Sequence, residues 1–327
     1  MCRRSLLLTV FALLCAFDAP GGYAAPRCGR HAAAAPSLRL LEAAMAQGRF
    51  IAYQPTQIQL VAGRASRADA AGIRADLQVL RPRFDALVTY GAGNGADQVA
   101  DVAAQLGFRA VILGVWSIDD EAEIALALAA AARHPQLVVG LSLGNERVFA
   151  GVTDFPALAA RIERLRQRAP QLALTTTEPF HLFAQDAAAP LLATADFLLV
   201  NVHPVFQPWF AGAKDADAAR FVVNVMNDLA THYCGPALVK ETGVPTAPAA
   251  LGYTPARQAG FYRALRSQFP PTGRRAFAYF SAFDAPWRVN DAHPSPGAQP
   301  QEGSWGLFDA ARRPKPAALD VPKRAAR

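Results

Sequence analysis

From Phe50 onward the chain alternates short apolar runs with stretches whose apolar residues recur every three or four positions. The runs at 50–54, 86–90, 110–115, 137–143, 172–176, 197–202, 237–240 and 276–280 read as eight strands. Several, such as Phe197-Leu198-Leu199-Val200, are continuously hydrophobic, which suits strands buried on both faces of a parallel sheet. The patterns at 71–80, 96–106, 121–133, 155–168, 216–232 and 255–268 read as amphipathic helices. In 155–168, Leu158, Ile162 and Leu165 share a face while Arg161, Arg164 and Arg168 point elsewhere. Asp154 and Thr254 stand where N-caps belong, the second followed by Pro255 at the first helical position. A smaller helix bounded by Pro179 and Pro190 joins the fifth and sixth strands. This alternation predicts an α/β fold, a single (β/α)8 TIM barrel over residues 49–310. An open doubly wound sheet shares the alternation, but the strand count and the lack of a glycine-rich turn after the first strand favour closure.

The ends carry different signals. Residues 1–25 read as a signal peptide: Arg3 and Arg4, an apolar run over 6–17, then small residues around Gly22, Ala24 and Ala25. The chain is therefore expected to be exported, periplasmic or secreted. The run is short for a bilayer span, so no stable membrane insertion is expected after cleavage; an uncleaved anchor is the other reading. Residues 26–48 are expected to form a short helix packing on the barrel, and 311–327 an extended, basic Pro/Ala-rich tail.

Composition supports a sizeable core, with 52% hydrophobic and 18% charged residues in 327. The net charge of +7 invites a nucleic-acid reading until its location is considered. Two arginines against Asp18 at the start, and six basic residues against Asp320 at the end, supply six of those seven charges. The body is near neutral, so nucleic acid is not an expected partner; a monomer is. Of four cysteines, Cys2 and Cys15 leave with the signal. Cys28 and Cys234 remain as a disulfide candidate in an oxidising compartment, or as two free thiols.

Active sites of such barrels sit at the C-terminal strand ends. There the fourth strand ends in Leu143-Gly144-Asn145-Glu146, and the seventh runs into Lys240-Glu241-Thr242-Gly243. Strands four and seven face one another across an eight-stranded mouth, so Glu146 and Glu241 would meet. Glycoside cleavage needs such a pair: one carboxylic acid protonates the departing oxygen while the other carboxylate attacks the anomeric carbon. Glu178, at the end of strand five, could bind substrate hydroxyls or support its loop.

Here the chain resembles glycoside hydrolase family 17, and its bacterial branch in particular. Gly144-Asn145-Glu146 and Glu241-Thr242-Gly243-Val244-Pro245 are similar to its acid/base and nucleophile motifs. The likeness extends to Asn201-Val202-His203-Pro204, to Phe280-Ser281-Ala282-Phe283-Asp284-Ala285-Pro286-Trp287-Arg288, and to Glu302-Gly303-Ser304-Trp305-Gly306-Leu307-Phe308. It implies a retaining enzyme acting on β-1,3-glucan or a related β-glucan, with Glu146 as acid/base and Glu241 as nucleophile. It also implies that Asn145 bonds the sugar 2-hydroxyl, that Trp287 offers a flat face to a ring, and that Tyr53, Tyr90 and His203 line inner subsites. Asn201 and Asp284 belong to the shared motifs, and Arg288 with Glu302 occupies a family pair near the eighth strand. Neither metal nor organic cofactor is implied, and the six histidines show no ligand spacing. The sequence departs from the family at Ala285, where Glu is common, at His203 for Tyr, at Val244 for Trp and at Arg288 for Lys. Hydrolysis and glucanosyl transfer use the same carboxylates and stay open; a non-catalytic glucan-binding protein would be expected to have lost one of them.

Overall fold

The computed structural model of the protein describes residues 26–29, 31–61, 63–290 and 299–324; the predicted signal at 1–25 lies outside them. Eight parallel strands close a barrel in chain order. They are β1 Phe50–Ala52, β2 Ala86–Val88, β3 Ala110–Val115, β4 Val138–Asn145, β5 Leu174–Pro179, β6 Leu198–Asn201, β7 Ala237–Glu241 and β8 Arg275–Tyr279. β1 pairs with both β2 and β8, which seals the cylinder.

The outer helices are α2 Ala70–Leu80, α3 Val99–Gln105, α4 Glu121–Arg133, α5 Phe155–Arg168, the short α6 Phe180–Phe183 and α7 Ala189–Thr194, α8 Asp215–His232 and α9 Pro255–Gln268. Their starts are written in the sequence. Asp154 Oδ1 accepts from the Ala157 amide at 2.8 Å and Thr254 Oγ1 from the Arg257 amide at 3.1 Å, satisfying donors that the helix itself leaves bare. The stretch 96–106 begins as a 3-10 turn, Ala96–Gln98, before α3 takes over.

Three strands run on past the ends of their apolar runs. β4 continues through Asn145, β5 spans Leu174–Pro179 rather than 172–176, and β7 includes Glu241. Hydrophobicity stops where side chains turn from core to mouth, whereas backbone pairing carries on past that point.

Helix α1, Ala35–Gln47, plugs the bottom of the barrel. Its Leu41, Ala44 and Met45 join one buried cluster with the inward residues Phe50, Val88, Ile112, Val139, Leu199 and Leu238. Burying Leu41 and Met45 contributes about 3–6 kcal/mol before the entropy of ordering is counted. A Cys28–Cys234 disulfide, Cα atoms 5.4 Å apart, ties the preceding segment to the chain just past α8.

The C-terminal segment corrects an expectation, since it is neither extended nor merely solvated. It forms α10, Pro316–Leu319, and Ala317, Ala318 and Val321 are buried. Arg312 donates to the fully buried Asp76 at 2.7 Å, Lys315 to Asp284 at 2.6 Å, and Arg324 lies 3.1 Å from Asp85. Three of the six basic residues expected in an extended tail are thus partners for carboxylates of the barrel body. Among the described residues no helix is long and apolar enough to cross a membrane.

Candidate active site

The aim of Glu146 begins with backbone geometry. The register between β4 and β5 slips between Ser142 and Asn145, and such a bulge re-aims the residues beyond it. Gly144 sits at φ 84°, where an added Cβ would stand 2.8 Å from Ile118 Cγ2. Glu146 itself has φ 53°, with its amide donating to Thr177 O at 2.8 Å. A left-handed glutamate is uncommon and costs about 1–3 kcal/mol. The side chain is thereby turned to the mouth, where Asn201 Nδ2 donates to Glu146 Oε1 at 2.8 Å.

Glu241 arrives from the other side. Asn201, at the end of β6, is its register partner in β7. Its Oε2 lies 3.4 Å from His203 Nε2 and its Oε1 3.6 Å from Lys240 Nζ. Lys240 also donates to Asn145 Oδ1 at 2.5 Å and places its ammonium 4.2 Å over the Tyr90 ring. Asn201 and Lys240 thus join the two glutamates' neighbourhoods into one constellation. Arg288, 3.4 Å from Glu302, lies over the Phe280 ring.

The two carboxyls are pushed in opposite directions. Burial, with the neighbouring Glu241 charge, pushes Glu146 up, against the pull of the Asn201 hydrogen bond. Burial also works against ionised Glu241, but the His203 contact and the Lys240, His203 and Arg288 charges outweigh it and bring the group down to about 2. A carboxyl made a weaker acid beside one that ionises more readily is the division of labour that acid/base and nucleophilic roles require. Glu241 Oε1, Tyr90 Oη, Asn201 Oδ1 and His203 Nδ1 are buried without a hydrogen-bond partner among the described residues, and unsatisfied polar atoms gathered in one place suit a hydroxyl-rich ligand.

Of the residues singled out in the sequence, the structure brings Asn145, Glu146, Tyr90, Asn201, His203 and Glu241 together. Trp287 is half-buried in the 3-10 turn Pro286–Asn290, beside Arg288. Two others, Tyr53 and Asp284, are corrected, and Glu178 takes the second of its two expected roles. Tyr53 is fully buried and donates to Asp76 at 2.8 Å, so it braces the loop after β1 instead of lining a subsite. Glu178 is fully buried too, its two oxygens accepting the Val148 and Phe149 amides, so it shapes the loop that follows Glu146. Asp284 Oδ1 accepts from Lys315 and from the Gly306 amide, which spends it on the join between two loops.

Sequence reasoning gave no role to Lys240, nor to the edge-on aromatic wall of Phe280 and Trp305 around His203, with ring centres 5.5 and 5.3 Å away. The lysine did leave a trace, a charge inside the apolar run Ala237-Leu238-Val239-Lys240, where lysine is rarely buried without a partner. Among the described residues no group of three or more His, Cys, Asp or Glu is gathered as metal ligands would be.

Comparison with known proteins agrees with this fold. A glucan 1,3-β-glucosidase of Arthroderma benhamiae is 26% identical over 266 residues, 76% of this chain and 84% of its own length. A family 17 β-1,3-glucanosyltransferase from Rhizomucor miehei superposes with a TM-score of 0.62 at 21% identity, covering 82% of this chain and 95% of that one. Its active-site mutant in complex with laminaritriose gives 0.63 at 20% identity, covering 84% and 97%; at these identities the two structures speak for the fold. The model of the BtgE/BtgC glycoside hydrolase domain matches residues 51–306, a span that runs from β1 past β8 and takes in both glutamates. The chain belongs to the BtgE/BtgC glycoside hydrolase domain family.

Proposed function

We propose that the protein is an exported, retaining β-glycosidase that works on β-1,3-glucan or a closely related β-glucan, with Glu146 as acid/base and Glu241 as nucleophile. The observation that carries this reading is the pair of buried carboxyls in one constellation, one pushed up and the other held down. The substrate class rests on the family and on relatives named for β-1,3-glucan; the affinity to the bacterial branch of family 17 rests on the motifs alone.

In the first step Glu146 gives its proton to the glycosidic oxygen as that bond breaks. Glu241 forms a bond to the anomeric carbon, giving a glycosyl ester. In the second step Glu146, now a carboxylate, takes a proton from the incoming hydroxyl, whose oxygen displaces Glu241. Water as that hydroxyl gives hydrolysis; a sugar gives transfer. The exposed aromatic residues Phe206 and Trp209 on the loop after β6 offer apolar faces to an acceptor sugar, which favours transfer as the second reading.

The test is the wild-type chain and Glu241→Gln on laminari-oligosaccharides, with product sizing and proton NMR of the first-formed anomer. The expected result is β-configured product from the wild type, with turnover lost and oligosaccharide binding kept in Glu241→Gln. Products longer than the substrate identify transfer. An α-configured first product, or ordinary turnover by Glu241→Gln, sinks the assignment.

A further inference from the structure

The lower part of the barrel interior is filled by apolar side chains. Leu238 belongs to the buried cluster that fills the cylinder, and Lys240 is the next inward residue on the same strand. It is 1% exposed, an expensive place for an ammonium unless something there uses it. Its contacts are with catalytic-face groups: Asn145 Oδ1 at 2.5 Å, Glu241 Oε1 at 3.6 Å and the Tyr90 ring at 4.2 Å.

We propose that Lys240 is a positioning residue for both halves of the reaction, fixing which way the Asn145 carboxamide faces and holding Glu241 as the attacking carboxylate. The inference rests on the function proposed above. An ammonium carries three donors and no acceptor, so Asn145 must turn its oxygen to Lys240, and its NH2 is left facing away. That orients the amide as a donor to the oxygen of the sugar 2-hydroxyl, a contact that strengthens in the transition state. With an apolar side chain at 240, the carboxamide could flip at little cost. The same ammonium offsets negative charge on Glu241. The other titratable groups around this centre are Glu146 after β4, Glu178 on β5, His203 after β6, Tyr90 after β2 and Arg288 after β8.

The test uses the full chain and aryl laminari-oligosaccharides with and without the 2-hydroxyl on the glucose that bears the aryl group. In Lys240→Met, kcat/KM on the hydroxylated substrate should fall about 10- to 100-fold, the loss of one charge-assisted contact. The preference for the hydroxylated substrate should shrink, and the acid limb of the kcat/KM profile should move to higher pH. Lys240→Gln keeps a donor without the charge, but its own oxygen can also accept, so it should recover only part of the preference and leave the limb displaced. If Lys240→Met does not fold, as judged by circular dichroism, the limb in Lys240→Gln decides. Equal losses on both substrates with an unmoved limb mark a merely structural lysine and overturn the proposal. So does wild-type behaviour in both variants, which leaves the roles of Glu146 and Glu241 standing. A wild-type chain inactive on every aryl substrate takes down both readings together.

Discussion

Two left-handed glycines on either side of one turn make a matched experiment on how the acid is aimed. Gly144 (φ 84°) and Gly151 (φ 67°) flank the turn that follows Glu146. At Gly151 an added Cβ meets nothing within 4 Å, whereas at Gly144 it meets Ile118 Cγ2 at 2.8 Å and Arg147 Cγ at 2.6 Å. Arg147 has a long side chain and can yield. Ile118 is 4% exposed inside the core and resists. Gly151→Ala therefore costs the backbone alone, about 1–2 kcal/mol, a Tm fall of roughly 2–8 °C. Gly144→Ala adds overpacking of about 1–3 kcal/mol, unless the β4 end moves away from Ile118. That movement is the interesting outcome, because the backbone that would shift carries Glu146. A displacement of about 1 Å in a catalytic group can cost on the order of 100-fold. The assay compares a dinitrophenyl β-glycoside, whose leaving group needs no proton, with a laminari-oligosaccharide, whose leaving group does. Gly144→Ala should lose about 100-fold on the oligosaccharide and little on formation of the glycosyl-enzyme from the dinitrophenyl substrate. Gly151→Ala should lose little on either. Parallel losses on both substrates in Gly144→Ala would refute the idea that this glycine aims the acid.

Two further predictions concern what the barrel buries. Arg312→Met leaves Asp76 with donors only from Tyr53 and Thr56, so a loss of about 1.5–3 kcal/mol is expected; deletion of residues 311–327 also takes Lys315 from Asp284 and Arg324 from Asp85 and should leave little folded protein. Thermal unfolding checks both, and a truncated chain melting with the wild type would show the segment to be dispensable. Glu178 is pushed up to about 7 by burial, with the Val148 and Phe149 amides pulling partly against it. Its folded state holds the proton more tightly than the unfolded state, whose Glu titrates near ~4.3. Stability from this group is thus full below that pH and is lost as pH rises towards 7, by a few kcal/mol at most. Chemical denaturation at pH 5 and pH 8 should show that fall in the wild type and a flatter profile in Glu178→Gln; equal slopes would contradict it.

The barrel was legible because its strands are long apolar runs at regular intervals, and the carboxyl pair because each glutamate follows such a run. What stayed hidden depends on pairings between distant parts of the chain. Glu178 stands at a strand end, and Asp284 in the loop after one, as plausibly as Glu146 does, and nothing local says that their oxygens are taken by Val148, Phe149, Lys315 and the Gly306 amide. Arg312 and Lys315 sit in a basic, proline-rich stretch, the usual dress of a loose end, and only Asp76 and Asp284, more than thirty residues away in sequence, make them structural.

Lys240 is the instructive case, because its signal was present and opposed to its surroundings. A lysine within Ala237-Leu238-Val239-Lys240 contradicts the pattern of the strand that contains it, and local rules are broken most often where function asks for it. A fold needing only a plug at that level would place an apolar side chain there, as it does with Leu238 one layer below. The ammonium weakens the core that surrounds it and strengthens the charge of Glu241 beside it. For that reason a charge that interrupts the last apolar strand positions before a catalytic glutamate is better read as part of the site than as an error in the core.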